Sequence, residues 1–304
     1  MKILEVENIT KKFGDYVAVN SVSLKAEKGK ILGVLGPNGA GKTTTIRMIM
    51  DIIAPDSGTI TFNNGLSKES MKDRIGYLPE ERGLYKKMKI DELLRFQGRL
   101  KSLSGKEADR RADMWLERME ITDWKKKKVE ELSKGMQQKI QFIGTIFHNP
   151  DLLILDEPFG GLDPINANLI KDIILELKKQ GAAILFSTHI MESAEKLCDE
   201  IILINKGELI LSGPLSKVKE QFNKNNILLD YTGPDGFLNE NAMIYKYNNY
   251  GNHVEIELNE HIKPQDFLKK IIDRVEIRKF ELREPSLNDI FIEAVGKKNN
   301  GDRV

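Results

Sequence analysis

The residues with the clearest chemistry lie between positions 36 and 44, in a loop rich in glycine. The segment from Gly36 to Thr43 matches G-x-x-x-x-G-K-[ST] at every fixed position. Glycines let backbone N–H groups turn inward around a triphosphate, and the helix that follows contributes the positive end of its dipole. Lys42 would place a positive charge on the β- and γ-phosphates, and the Thr43 hydroxyl can bind Mg²⁺. The loop therefore predicts a site for a nucleoside triphosphate with Mg²⁺.

Two adjacent acids, Asp156 and Glu157, come directly after the apolar run 152–155. Asp156, at the carboxyl end of a predicted strand, is suited to hold the Mg²⁺ shell, either directly or through water. Glu157 can polarise an attacking water as general base. Alone, such a pair could belong to a capped turn. Beside a phosphate loop it indicates nucleotide hydrolysis.

The elements that must position these residues follow from short apolar runs between helical patterns. Runs rich in Ile, Leu and Val predict buried parallel strands at Ile31–Leu35, 152–155, 183–186 and 201–204. Helical spacing predicts helices at 41–53, 91–103, 106–119, 135–147, 165–180 and 191–198. Ahead of the first buried strand, alternation predicts two antiparallel strands, 2–9 and 17–26, with a turn near Gly14. Strands that alternate with helices predict an α/β layered domain.

The composition changes near residue 223. The first 224 residues contain ten Asn and the last 80 contain eleven. After this point, alternation predicts strands at 252–258 and 275–282, and helical spacing predicts a helix at 263–274. We therefore predict two domains, residues 1–222 and a small α+β domain of residues 223–304.

Composition also excludes several classes of protein. The chain has 47 Lys plus Arg against 46 Asp plus Glu, so no large basic field favours nucleic acid, and no nucleic-acid partner is expected. The single cysteine, Cys198, rules out an intramolecular disulfide and fits a reducing compartment. No apolar run approaches the length of a membrane span, and the N-terminus lacks the apolar core of a signal peptide. These features predict a cytoplasmic protein whose contact with a membrane is peripheral or made through a partner.

Further motifs resemble those of the ATP-binding subunits of ATP-binding-cassette (ABC) transporters. Residues 132–138 read Leu-Ser-Lys-Gly-Met-Gln-Gln and resemble the family signature Leu-Ser-Gly-Gly-Gln ahead of the acid pair. Residues 160–163, Gly-Gly-Leu-Asp, resemble the loop that follows the catalytic Glu. His189 stands where the family has a switch histidine, and Phe13 where it has an aromatic residue that stacks on adenine. The resemblance covers about residues 1–220 and includes the family's motifs in order.

This resemblance implies a fold and a set of site residues. The fold is the P-loop NTPase cassette, a mixed sheet with an antiparallel β-subdomain and a helical subdomain. Glu157 and His189 are the implied catalytic residues, and Thr43, Asp156 and Glu80 the implied metal residues. The implied ATP-binding residues are Phe13, Gly36, Pro37, Asn38, Gly39, Ala40, Gly41, Lys42, Thr43 and Thr44. The signature residues Ser133, Lys134, Gly135 and Met136 would face the ATP of a second cassette, with Asp163 in the adjoining loop.

The chain departs from the family pattern at three positions. Lys134 replaces the first glycine of the signature and Met136 its glutamine, while Ser133 and Gly135, which would touch phosphate, remain. Glu80 stands at the position of the family's loop glutamine. A carboxylate can bind Mg²⁺ as an amide does but adds negative charge beside the phosphates. Glu80 is therefore either a sensor of the γ-phosphate and metal or a surface acid paired with Arg82.

The resemblance also implies partners and a cellular role. Two cassettes, in a homodimer or pseudo-dimer, would close head-to-tail over two ATP molecules, and an integral membrane permease on a separate chain would bind at the inner face of the membrane. The C-terminal segment resembles the small domain of ATPase subunits of bacterial two-component exporters of sodium or drugs. The alternative is a soluble cassette ATPase switch that acts on ribosomes or nucleic acid, but the chain has one phosphate loop and lacks the long coiled coil of the repair proteins.

Overall fold

The computed structural model describes residues 1–62, 71–81, 83–222, 226–240, 242–259 and 261–299. Within it the chain forms two compact units, Met1–Pro214 and Leu215–Asn300. The first unit ends eight residues before the boundary that the sequence predicts.

The first unit is built on one nine-stranded sheet with the order β4-β1-β2-β9-β8-β3-β7-β6-β5. Its strands are β1 Lys2–Phe13, β2 Tyr16–Glu27, β3 Ile31–Leu35, β4 Ser57–Phe62, β5 Ile75–Leu78, β6 Leu152–Asp156, β7 Ala183–Thr188, β8 Glu200–Asn205 and β9 Glu208–Pro214. Strands β3, β5, β6, β7 and β8 run parallel. Every residue of β3, β6 and β7 is buried, as continuous apolar runs predict for strands covered on both faces.

An antiparallel part flanks these strands. β1 pairs with β2 from Lys2↔Glu27 to Phe13↔Tyr16, which confirms the predicted pair and its turn at Gly14. β4 pairs with the other edge of β1. The sheet is therefore mixed, and the α/β class predicted from the sequence is confirmed.

Six helices of the first unit are described in full. They are α1 Lys42–Ile49, α2 Ile90–Leu100, α3 Gly105–Arg118, α4 Lys134–Ile146, α5 Pro164–Lys179 and α6 Met191–Leu197. Side chains of Ser104, Ser133 and Asp163 cap α3, α4 and α5 by accepting a backbone N–H three residues ahead. The sequence predicts all six helices, with ends that differ by up to four residues because helix ends depend on caps and packing.

The second unit has its own antiparallel sheet, with the order β11-β12-β10-β13. Its elements are α7 Leu215–Gln221, β10 Asn226–Thr232, α8 Gly236–Glu240, β11 Ile244–Asn249, β12 His253–Leu258, α9 Pro264–Ile271, β13 Glu276–Arg283 and α10 Leu287–Asn299. Alternate residues of β10 and β12 pack with Phe237, Phe267 and Ile271 into a separate core. The sequence predicts β12, α9 and β13 but not the other two strands of this sheet.

Within the described residues, no helix combines the length and the apolar character that a bilayer span requires.

Candidate functional site

The glycine-rich loop joins the end of β3 to the start of α1 and runs close to two neighbouring strands. Gly36 has φ 152° and Gly41 has φ 106°. A Cβ on Gly36 would lie 2.1 Å from the carbonyl oxygen of Ile204, and one on Gly41 would lie 2.5 Å from that of Ala18. Only glycine fits these two positions, so their spacing in the sequence is a requirement of this backbone path.

Lys42, the first residue of α1, is held inside the loop. Its side chain is buried, at 6% exposed, and Nζ donates to the carbonyl oxygens of Gly36 (2.7 Å) and Pro37 (3.1 Å). Burial lowers the pKa of Lys42, and three nearby carboxylates act against that shift: Glu157, Asp156 and Glu80. The ammonium therefore lies at the loop, where a phosphate is a stronger acceptor than the two carbonyls.

Thr43 and Asp156 meet at the end of β6. Thr43 Oγ1 donates to Asp156 Oδ2 at 2.9 Å. Asp156 is fully buried, and its Oδ1 has no hydrogen-bond partner among the described residues. Burial raises the pKa of Asp156, and the hydroxyls of Ser187 and Thr43 act in the opposite direction. A buried carboxylate oxygen without a partner, beside a hydroxyl, is the oxygen donor set that Mg²⁺ prefers, so these residues fit a Mg²⁺ ion.

Glu157 is fixed by the end of β7. Its Oε1 accepts the backbone N–H of His189 (2.9 Å) and the ring Nδ1–H of His189 (2.7 Å), and its Oε2 accepts the hydroxyl of Thr188 (3.0 Å). The residue has φ 48°, which is uncommon outside glycine, and its N–H donates to Ser187 O at 3.0 Å. The carboxylate therefore has one defined orientation, and His189 contacts it directly.

These groups line two neighbouring cavities. The larger, of about 440 Å³, is lined by residues 38–44 of the loop together with Phe13, Tyr16, Ala18, Glu80, Asp156 and Glu157. The smaller, of about 330 Å³, is lined by Glu80, Gln138, Glu157, Phe159, Gly160, Thr188, His189 and Ile190. Glu80 and Glu157 line both cavities. The structure thus brings the predicted catalytic, metal and aromatic residues to one place.

Glu80 follows β5, and its side chain is exposed at the mouth of both cavities. Burial lowers the pKa of Lys42 and raises that of Asp156; the charge of Glu80 opposes the first shift and adds to the second, so Glu80 lies within electrostatic range of the phosphate loop. Arg82, the partner in the alternative interpretation of Glu80, lies outside the described residues.

The signature residues occupy a separate position. Ser133 caps α4, and its Oγ accepts the backbone N–H of Met136 at 3.2 Å. Ser133 and Lys134 are exposed, and the nearest atom to a Cβ on Gly135 would be Gly161 O at 3.8 Å. None of the four signature residues or Asp163, all of which are described, lines either cavity. The start of α4 is therefore open on the outside of this unit.

Sequence reasoning missed several residues that line the two cavities, among them Tyr16 and Thr188. Tyr16 is 58% exposed beside Phe13, which is 52% exposed, and its hydroxyl donates to Gly39 O at 3.5 Å. The sequence could have indicated Tyr16, because the predicted hairpin places this aromatic residue opposite Phe13 across the Gly14 turn. The Thr188 hydroxyl donates to Glu157. The sequence could have indicated Thr188, because it directly precedes His189.

Comparisons with known proteins give matches over both units. The profile of the ABC transporter family matches residues 19–160, and the profile of the C-terminal domain of DrrA1-3-like ATP-binding proteins matches residues 213–295. The ABC transporter ATP-binding protein YhaQ of Bacillus subtilis is 44% identical over 97% of this chain and 99% of its own length. The linearmycin resistance ATP-binding protein LnrL of the same organism is 33% identical over 97% of this chain and 99% of its own.

A solved structure shows the same fold. An ATP-binding subunit of an ABC transporter superposes with a TM-score of 0.68 at 31% identity, over 72% of this chain and 93% of that one.

Proposed function

The chain belongs to the ABC transporter family as an ATP-binding subunit that hydrolyses ATP with Mg²⁺, and on that premise we propose that it powers export through a permease on a separate chain. The main structural support for ATPase activity is that Lys42, Asp156 and Glu157 line one cavity. The export role is supported by the match of the second unit to the DrrA-like C-terminal domain and by the relative named for linearmycin resistance.

The residues divide the work by position. Phe13 and Tyr16, which are both exposed and both line the cavity, offer aromatic rings to a nucleobase. The loop N–H groups and Lys42 bind the phosphates. When bound, Mg²⁺ supplies positive charge to the β- and γ-phosphates, and Thr43, Asp156 and Glu80 are the residues that would hold it. Glu157 accepts the proton of the attacking water, and Thr188 and His189 keep its carboxylate oriented.

The exposed start of α4 supports a two-cassette arrangement. Ser133, Lys134, Gly135 and Met136 lie away from their own cavity, with the positive end of a 13-residue helix behind them. In the arrangement we propose, this helix start contacts the γ-phosphate held by a second cassette, and Asp163 lies at the same junction. ATP then bridges the two cassettes, and hydrolysis removes the bridge.

The site of action follows from the partner. We propose that the chain works in the cytoplasm, bound to the inner face of the membrane by its permease. The cargo is a drug or an ion. The permease selects it, because the functional residues of this chain bind and hydrolyse ATP.

A capture experiment tests the partner. The tagged chain is expressed in the cells from which its sequence comes, and is recovered from detergent-solubilised membranes. A multi-span protein should copurify in a stoichiometric amount, and the Glu157→Gln variant with Mg·ATP should retain it. Recovery of ribosomes without a multi-span protein would instead support the soluble ATPase switch and would contradict the proposal.

A further inference from the structure

Helix α4 buries three polar side chains on one face. Gln138, Gln141 and Thr145 are spaced three and four residues apart, so they share that face, and they are 3%, 6% and 5% exposed. A buried polar side chain costs free energy unless it is hydrogen-bonded, and apolar residues would stabilise a helix at this depth better. The burial of these side chains is therefore explained by the groups that they contact.

Each side chain reaches a backbone segment that leads into the site. Gln138 Nε2 donates to Pro158 O at 3.1 Å, one residue after Glu157. Gln141 Nε2 donates to the carbonyl oxygens of Pro79 (3.4 Å) and Glu81 (3.3 Å), which flank Glu80. Thr145 Oγ1 donates to Gln141 O at 2.8 Å within its own helix, and it lies 3.4 Å from Tyr77 O, near the end of the strand that enters this loop.

The orientation of the Gln141 amide follows from these contacts. Both Pro79 O and Glu81 O are acceptors, so the amide nitrogen must face them, and a flipped amide would set its oxygen against two carbonyls. The donor bridges the carbonyl oxygens of the two residues on either side of Glu80. It therefore holds the backbone of that residue against α4.

The position of Glu80 matters because its carboxylate acts on the phosphate loop. It lines both cavities together with Glu157, and its carboxylate lies within electrostatic range of Lys42 and Asp156. An exposed side chain is only as well placed as the backbone that carries it, and catalytic groups displaced by about 1 Å lose roughly a hundredfold in rate.

We propose that Gln141 is a positioning residue that fixes Glu80 at the nucleotide cavity and ties it to the helix that starts at Ser133. The inference rests on the proposed function, because it deepens the assignment of Glu80 as a metal residue of the ATP site. A change at the start of α4 is thereby transmitted to the Glu80 loop through one side-chain amide.

The first test compares turnover of two variants that each lose one buried donor on α4. Gln141→Met keeps the shape of the side chain and removes the donor. Lys139→Met is the matched control, since Lys139 is also buried and donates to Met119 O at 2.9 Å, away from the site. We expect Gln141→Met to lower kcat about tenfold with less than about a twofold change in the KM for ATP, and Lys139→Met to keep wild-type kcat. Equal kcat values for the two variants would overturn the inference.

The second test needs no turnover. In the Glu157→Gln background, the affinity for trinitrophenyl-ATP is measured by fluorescence with Mg²⁺ and with EDTA, and the ratio reports the gain due to the metal. Glu80→Ala should reduce this ratio, Gln141→Met should reduce it in the same direction, and the double variant should match Glu80→Ala. Multiplied effects in the double variant, or an unchanged ratio in Gln141→Met, would overturn the inference, because Gln141 would then act independently of Glu80.

The two tests separate the failures. A wild-type chain without Mg·ATP turnover contradicts the proposed function, while the binding ratio still decides on Gln141. Should Gln141→Met fail to fold, Gln141→Asn keeps a polar group there but withdraws the donor from both carbonyls, and the same ratio is measured with it. If the wild type turns over Mg·ATP but the Gln141 variant leaves the Mg²⁺-to-EDTA affinity ratio unchanged, the inference is contradicted and the proposed function is not.

Discussion

Three carboxylates around one buried lysine define the site at the scale of single residues. Asp156 is the last residue of β6, Glu157 follows it, and Glu80 lies in the loop after β5. Lys42 lines the same cavity and carries the opposite charge. The carboxylates therefore favour binding of a divalent cation, and Lys42 favours binding of an anionic phosphate. The unpartnered Oδ1 of Asp156 is the atom that such a cation would satisfy.

The first residue-scale prediction concerns Glu157. Glu157→Gln keeps the shape and the contact with Thr188 but removes the base, so we expect turnover to fall by about a hundredfold or more while Mg·ATP still binds. Phosphate release and isothermal calorimetry measure the two quantities. Glu192→Gln, an exposed acid on α6 that pairs with Lys196, is the control. Normal turnover in Glu157→Gln would assign the base to another residue.

The second residue-scale prediction concerns pH and His148. Burial, and next the charge of Lys101, lower the pKa of His148 from 6.5 to about 4, and its Nε2–H donates to Ile75 O at 3.3 Å. As the pH falls, His148 therefore binds a proton at a higher pH in the unfolded chain than in the folded chain. This contribution to stability is present above pH 6.5 and is lost as the pH falls toward 4.

Urea titrations at several pH values check this prediction. The free energy of unfolding of the wild type should fall by up to about 3 kcal/mol more over that window than that of His148→Gln. His261→Gln, at an exposed histidine, is the control and should keep the wild-type slope. Parallel curves for wild type and His148→Gln would contradict the prediction.

At the scale of elements, two helix starts have the same kind of cap but belong to helices that carry different residues. Ser104 caps α3 by accepting Glu107 N–H at 3.3 Å, and Ser133 caps α4 by accepting Met136 N–H at 3.2 Å. The local geometry is nearly the same, and both residues are exposed. Only Ser133 starts the helix that carries Gln138 and Gln141.

This pair gives a matched prediction. Ser104→Ala and Ser133→Ala should each lower the free energy of unfolding by about 1 kcal/mol, because each loses an N-cap. Only Ser133→Ala should also lower ATPase activity, by about tenfold, because its hydroxyl contacts the γ-phosphate of the second cassette in the proposed arrangement. Calorimetry and phosphate release measure both. Equal activities would show that Ser133 is a cap alone.

At the scale of the whole molecule, the chain contains two compact units with separate cores. The first packs its sheet residues around α1, and the second packs β10 and β12 with Phe237, Phe267 and Ile271. The ATP cavity is lined by the first unit only. A ligand that binds one unit stabilises that unit by mass action.

The prediction at this scale is a calorimetric one. Unfolding of the full chain should show two transitions, and Mg·ATP at about 100 times its Kd should stabilise only one of them, by about 2.7 kcal/mol. The Lys42→Ala variant should lose this shift, because Lys42 binds the phosphates. A single transition that moves as a whole with Mg·ATP would contradict independent unfolding of the two units.

Local chemistry is what the sequence by itself determined. The glycine spacing of the phosphate loop, the acids after 152–155 and the apolar runs of β3, β6 and β7 each carry their meaning within a few residues, so they were predictable. The second unit shows the limit of this approach. β10 and β11 are strands because they pair with β12, and the polar residues of Ile244–Asn249 do not alternate clearly enough to predict an edge strand.

The tertiary structure alone decided which side chains support the site. Thr188 contacts Glu157 across neighbouring parallel strands, and Gln141 reaches Pro79 and Glu81, residues about 60 positions away. Such contacts depend on strand order and on how a helix lies against a loop, and no local pattern encodes either. The sequence specified the residues that perform the chemistry because their types are dictated by phosphate and Mg²⁺. The fold specified the residues that hold them in place, because their role depends on what lies opposite.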